Sequence, residues 1–239
     1  EDTCSTFSGT LPAFSLADVA FAVKERDILN GVTFDILKGS RTVLLGENGC
    51  GKTTLLRLIS RLEKPTRGVI LQNIDDKFGQ KSKQSKKWYK KVGVVYQNPD
   101  YQLFMQTVEK EIKFGAKSDE YADEIAEKFG IKHLYARHPQ SLSEGQKRRV
   151  SIAAVVATDP EVLILDEPTV GQDYKGLCEM VEVLNKLHEE AHNTMITVTH
   201  DKRCAAALCD KSVWIKNGKT YKTGGKELVD EFFIQIGVN

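Results

Sequence analysis

Eight consecutive residues, Gly46-Glu47-Asn48-Gly49-Cys50-Gly51-Lys52-Thr53, constrain this chain more than any other stretch. Gly46, Gly49 and Gly51 let the backbone curl until several N–H groups, with Asn48 in the same cradle, converge on one point, and a following helix adds its positive dipole end. That arrangement binds phosphate. Lys52 then reaches the β- and γ-phosphates of a nucleotide and Thr53 presents its hydroxyl to Mg²⁺, with Thr54 a weaker second candidate. The flanks suit the loop: Arg41–Leu45 reads as a buried strand and residues 54–62 as the next helix, the strand–loop–helix setting a phosphate loop requires.

At 239 residues and 41% hydrophobic content, the chain can bury one large core or two small ones. No run approaches the roughly 20 apolar residues of a membrane-spanning helix. The first residues show no secretory pattern, so a cytoplasmic location is expected. Five cysteines, Cys4, Cys50, Cys178, Cys204 and Cys209, form no Cys-x-x-Cys pair, which argues against a disulfide framework and against zinc. Cys50 has two readings, a thiol activated by the loop's dipoles or a small filler. A formal net charge of +1 excludes a globally basic nucleic-acid binder. The cluster Lys81, Lys83, Lys86, Lys87, Lys90 and Lys91 reads most simply as a solvated loop.

Residues 1–13 are rich in Ser, Thr and Gly and read as an interdomain linker or an expression remnant, with the folded domain spanning 14–239. Alternating Leu16, Val19, Phe21 and Val23, then Val32, Phe34 and Ile36, predict antiparallel strands, with a turn at Lys38-Gly39. Residues 98–158 are helical in pattern, with helices over 121–129 and 145–157, and divide the core into 14–97 and 159–239. Strands at 162–165 and 195–199 with a helix over 175–191 repeat as parallel βαβ units do. Asn217-Gly218 marks a type I′ hairpin, and 226–235 a closing helix. The predicted fold class is α/β: a P-loop NTPase core, a mostly parallel sheet with helices on both faces, an N-terminal antiparallel β subdomain and an inserted α-helical subdomain.

Asp166 and Glu167 follow the apolar strand 162–165, so both carboxylates emerge at strand ends, where α/β proteins place ligands. Asp166 is expected to hold Mg²⁺ through water, and Glu167 to orient and deprotonate the water that attacks the γ-phosphate. The plainer alternative is an acidic pair that caps the next helix. His200, after strand 195–199, is placed to donate a hydrogen bond near the γ-phosphate, with Asp201 fixing its tautomer. His133, His138, His188 and His192 read as surface imidazoles. Ser143 and Gln146 fit a capping box. Ser143, Gly145 and that helix N-terminus can also donate to phosphate, and since the chain already has one phosphate loop, this second donor set must face another nucleotide.

With these residues in place, the chain resembles the ATP-binding cassette family, whose Walker A, signature and Walker B motifs match residues 46–53, 142–146 and 162–167. The likeness covers roughly residues 15–224. It implies ATP hydrolysis with Mg²⁺ by two cassettes paired head to tail, Ser143, Gly145 and Gln146 of one closing over the ATP held by Lys52 and Thr53 of the other. The second cassette is either an identical or a related chain. Gln97 matches the family's Q-loop glutamine, which senses Mg²⁺ and the attacking water, and Asp173 its D-loop aspartate. The run Gln97-Asn98-Pro99-Asp100-Tyr101-Gln102-Leu103-Phe104 with Thr107-Val108 is similar to importers of the energy-coupling-factor type, which take up vitamins or transition-metal ions. Tyr101, Gln102, Leu103 and Phe104 are then expected contacts for an integral membrane transport subunit, with the chain peripheral on the inner face of the cell membrane.

Four features depart from the family pattern. Val23 stands where an aromatic residue usually stacks on adenine, Glu144 replaces a signature glycine, and Val170-Gly171-Gln172-Asp173 replaces a small-x-Leu-Asp D-loop. The fourth, an end soon after Phe233, suits one half of a tandem ATPase. The leading reading is thus an importer's ATPase subunit, with no nucleic-acid partner expected. The alternatives are a non-transport ATPase of this architecture that acts on nucleic acid or ribosomes through Lys81 to Lys91, and a regulatory nucleotide-binding module that scarcely turns over.

Overall fold

The computed structural model describes residues 12–24, 26–74 and 86–237. Cys4, Lys81, Lys83 and residues 1–11 of the expected linker lie outside these, as do the side chains of Lys86 and Lys87. The chain begins with strands β1 (Pro12–Val23), β2 (Arg26–Leu37) and β3 (Arg41–Leu45), then α1 (Lys52–Ile59) and β4 (Arg67–Gln72). A short helix α2 (Lys86–Lys91) leads into β5 (Val92–Val95). The segment after β5 is helical, with α3 (Val108–Lys113), α4 (Asp119–Lys128) and α5 (Glu144–Val156) joined by 3₁₀ turns. Next come β6 (Val162–Asp166), α6 (Tyr174–Ala191), β7 (Thr194–Val198), α7 (Lys202–Ala207), β8 (Lys211–Lys216), β9 (Lys219–Gly224) and α8 (Lys226–Gln235).

Two sheets result. The strand order β5-β6-β7-β3-β8-β9 is parallel throughout except for the β8–β9 hairpin. Asn217 and Gly218 both have positive φ, as a type I′ turn requires. A separate antiparallel sheet has the order β2-β1-β4. The parallel strands are apolar on both faces because side chains alternate and each face is covered. Leu44, Ile164 and Ile196 pack with Leu55, Ile59 and the antiparallel sheet's Phe14 and Ile36. Val43 and Leu45 meet Trp214, Phe232 and Phe233 from the hairpin and α8. Leu163, Leu165 and Met195 join Ile112, Ile125, Phe129 and Ile152, so the helical segment shares one core with β6 and α6.

Several bounds differ from the sequence expectation, each for a local reason. The first strand starts at Pro12, and Ala13 is already buried, two residues into the expected linker. Helix α1 starts at Lys52 because Gly51, at φ 103, caps it in a left-handed conformation, and a Cβ there would lie 2.5 Å from Leu29. It ends at Ile59 rather than near 62 because Arg61 turns to φ 59 and Leu62 N–H bonds back to Arg57 O at 2.9 Å, closing a Schellman-type turn. Strand β4 has no counterpart in the sequence reading: half-exposed Val69 and the mid-strand Gly68 blur its alternation, and pairing with β1 supplies what propensity lacks. His188 is buried, with Nδ1 3.0 Å from Asn193 O, and is not the expected surface imidazole.

Leu163, fully buried in β6, joins the sheet to the helical core, so Leu163→Ala should destabilise the chain by about 2–5 kcal/mol in urea unfolding.

Candidate functional site

Strands β3, β6 and β7 are hydrogen-bonded neighbours, and their C-terminal ends carry the phosphate loop, Asp166-Glu167 and His200 respectively. Register alone gathers these groups: Asp166 lies opposite Val198, two residues before His200. Thr53 Oγ1 approaches Asp166 Oδ2 to 3.3 Å. Lys52 is buried, and its Nζ donates to the carbonyls of Gly46 at 2.6 Å and Glu47 at 3.0 Å. Gly46 is buried, Thr54 half-buried, and Asn48 and Gly49 are exposed at the rim of a cavity shared with Arg26, Asp27, Ile28 and Lys216. Lys52 and Thr53 do not line that cavity; the chemistry gathers on the carboxylate side of the loop.

Glu167 is the most constrained residue here. Its φ is 55, its N–H donates to Val198 O at 2.8 Å, and its side chain is buried. A left-handed glutamate carries backbone strain that surrounding contacts must hold. Oε2 accepts from the His200 backbone N–H at 3.2 Å, while Oε1 is buried without a hydrogen-bond partner and lies 3.5 Å from His200 Nε2. Burial raises the pKa of Glu167 and of Asp166 above the usual carboxylate range. Burial, aided by the Lys52 charge, lowers that of His200. The imidazole is therefore neutral at pH 7, and its approach to Oε1 is a polar contact rather than an ion pair. Asp201 does not orient this ring: it caps α7, accepting from the N–H groups of Arg203 and Cys204, and pairs with the Arg203 side chain.

Other expected site residues lie apart from this cluster within one chain. Gln97 is exposed, and Val23 is half-exposed at the β1–β2 turn. Ser143 caps α5 with the full reciprocal box to Gln146, leaving Ser143, Gly145 and the helix N-terminus at the surface. Asp173 caps α6, bonding Gly176 N–H at 2.7 Å. Of the expected membrane-subunit contacts, Tyr101 and Phe104 are exposed, at 80% and 67%. Two face inward instead: Leu103 is buried, and Gln102 turns its amide onto Val94 O and Tyr96 N–H, replacing a strand partner for β5. The exposed Phe114 stacks edge to face on Phe104 at 5.3 Å.

Arg148 is the residue that sequence reasoning missed. Buried on α5, it donates to Tyr96 O at 2.6 Å and to Gln97 O, and its charge bears on Asp166 and Glu167. Its neighbour Lys147, also buried, holds Asp100 at 2.9 Å. Cations this near a helix N-terminus oppose the dipole, and that mismatch was the available signal of fixed partners.

Comparison with known proteins identifies the family. The family model described as ABC transporter matches residues 29–170. The chain belongs to the ABC transporter family. The energy-coupling factor transporter ATP-binding protein EcfA2 of Enterococcus faecalis is 40% identical over 221 residues, covering 86% of this chain and 74% of the relative. The solved CbiO1 of Clostridium perfringens, described as part of the ABC transporter complex cbiONQ, superposes with a TM-score of 0.77 at 31% identity, covering 92% of this chain and 91% of that one. A dimeric ATP-binding cassette solved in a post-hydrolysis state with ADP and Pi has a TM-score of 0.77 at 26% identity, covering 89% of this chain and 98% of that one. As an ABC ATPase, the chain binds and hydrolyses ATP.

Two outcomes follow from the burial at this site. Glu167 holds its proton more tightly folded than unfolded, so its burial costs stability as pH rises above the ordinary carboxylate range. Glu167→Gln should therefore raise thermal stability at pH 7, by about 1 kcal/mol, with the gain vanishing in acid. Burial also raises the thiol pKa of Cys50, and pushes Cys204 to about 12 and Cys209 to about 11. Among the described cysteines, exposed Cys178 should then be alkylated first, Cys50 more slowly and Cys204 last, as read by peptide mass spectrometry.

Proposed function

We propose that this chain is the ATP-binding and ATP-hydrolysing subunit that powers an importer of the energy-coupling-factor type, for a vitamin or a transition-metal ion, through ATP-dependent head-to-tail pairing of two cassettes. The observation that carries the reading is the phosphate-loop hydroxyl of Thr53 lying 3.3 Å from Asp166, beside the buried Glu167, whose Oε1 is 3.5 Å from His200 Nε2. The energy-coupling-factor relatives and the CbiO1 likeness support the importer type. The cassette solved as a dimer with ADP and Pi supports the pairing.

The residues fit Mg²⁺. Thr53 and Asp166 offer two oxygens at the phosphate loop, Gln97 stands on the adjoining loop, and no dedicated cage of His, Cys, Asp and Glu exists among the described residues. That suits a cation that keeps most of its waters. When bound, Mg²⁺ neutralises charge that grows on the β- and γ-phosphates.

Lys52 and the N–H groups of Gly49, Gly51, Thr53 and Thr54 hold the triphosphate of ATP, and Val23 borders the adenine. Glu167 Oε1, the buried oxygen without a partner, orients water in line with the γ-phosphorus. The water oxygen bonds to phosphorus, the bond to the β–γ bridging oxygen breaks, and Glu167 takes the proton. His200 donates to a γ-phosphate oxygen. Ser143, Gly145 and Gln146 of the opposite cassette close over that phosphate, with Asp173 beside the shared interface.

Tyr101 and Phe104, extended by Phe114, form an aromatic surface for an integral membrane subunit. No helix of the described residues is long and apolar enough to cross a membrane. The proposed location is peripheral, on the inner face of the cell membrane.

Turnover per chain should rise with protein concentration and vanish with EDTA. Glu167→Gln should lower it by about 10²–10⁴-fold while an ATP-bound dimer accumulates. Undiminished hydrolysis by Glu167→Gln would overturn the assignment of the base.

A further inference from the structure

Two departures from the family pattern, Glu144 in the signature and Gly171-Gln172 in the D-loop, meet in space. Gln172 Nε2 donates to Gly145 O at 2.8 Å, and the Arg149 Nε lies 3.5 Å from Gln172 Oε1. Arg149 in turn pairs with Glu179 on α6 at 2.7 Å. The backbones are in close contact: a Cβ on Gly145 would lie 3.0 Å from Gly171 O and 3.1 Å from Gln172 Nε2, and one on Gly171 would lie 3.3 Å from the Glu144 Cβ. Behind the amide, a Cβ on Gly176 would lie 2.6 Å from Gln172 Oε1. Three glycines thus make room for one side-chain amide and for Glu144. The Gly145 carbonyl has two lone pairs, so it accepts from Gln172 while serving α5. A leucine at this position, as the family resemblance anticipates, offers no donor.

We propose that Gln172 is a positioning residue that clamps the signature loop to the D-loop of the same chain. Ser143, Gly145 and Asp173 then meet a second cassette as one rigid edge rather than as two loops ordered separately. Ordering both loops beforehand lowers the entropy lost on pairing. Binding of the signature to a partner's nucleotide also sets the D-loop beside it without a further rearrangement. The functional half of this inference rests on the paired reading above.

Hydrogen exchange of the nucleotide-free chain tests the clamp without any dimer. In Gln172→Leu, amides of residues 144–147 and 171–173 should exchange about fivefold faster together, the effect of one lost hydrogen bond. Protection in β6 and β7 should stay unchanged. Gln172→Glu, equal in size but presenting an acceptor to Gly145 O, should do the same, and serves if the leucine variant folds poorly. Faster exchange at 171–173 alone would overturn the clamp. In the Glu167→Gln background, Gln172→Leu should then weaken ATP-dependent dimerisation by about fivefold in sedimentation, with ATP affinity of the monomer unchanged. Equal dimer affinities would overturn the positioning role. A parent chain that forms no ATP dimer would refute pairing between identical cassettes, while the exchange result would still decide the clamp.

Discussion

Asp166 and Glu167 are carboxylates held in a largely dehydrated place at the end of an apolar strand, and the surroundings are arranged around that cost. Burial raises both pKa values, and the groups that oppose it come from separate parts of the chain: the Thr53 hydroxyl and Lys52 from the phosphate loop, the His200 N–H from the end of β7, and the Arg148 guanidinium from α5. None is a close salt bridge. Partial compensation of this kind leaves the carboxylates able to take a proton or a cation, which a fully paired site would resist. The left-handed Glu167 belongs to the same economy of strain, since its φ of 55 aims the side chain back over the strand ends while its N–H stays bonded to Val198.

Helix α5 carries much of the site's organisation beyond its capped N-terminus. Within a single turn, Lys147 reaches Asp100, Arg148 reaches the Tyr96 and Gln97 carbonyls, and Arg149 reaches Gln172 and Glu179. The loop after β5 is thus tied to the same helix whose capped start lies at the surface. Glu111 anchors that loop's far end, its carboxylate accepting from the Phe104 and Met105 N–H groups at 2.9 and 2.7 Å. Exposed Tyr101 and Phe104 therefore stand on a braced loop. Short polar contacts join the loop that carries this aromatic surface to α5, through Lys147 and Asp100, and join α5 to the backbone of Tyr96 and Gln97 through Arg148.

Much of this was legible one residue at a time. Parallel strands 41–45, 162–166 and 194–198 announce themselves by short, mainly apolar runs, the hairpin by Asn217-Gly218, and the start of α5 by Ser143 with Gln146, because those signals depend on neighbours in sequence. Thr53, Asp166, Glu167 and His200 could be grouped before any coordinates, since parallel strands place their C-terminal ends together. Strand β4 escaped because its stability comes from pairing with β1, and the inward turn of Gln102 and Leu103 escaped because which way a loop residue points depends on what packs beneath it.

The sequence by itself determined the phosphate loop, the acidic pair and the family, since each is a matter of residue type at a fixed spacing. Only the tertiary structure decided that Asp201 caps a helix instead of serving His200, that Arg148 on α5 holds the Tyr96 and Gln97 carbonyls, and that Gln172 bonds Gly145 while Gly171 packs against Glu144. The last two rest on distances of a few ångströms between residues 27 and 52 positions apart. No local pattern encodes such a distance; packing sets it.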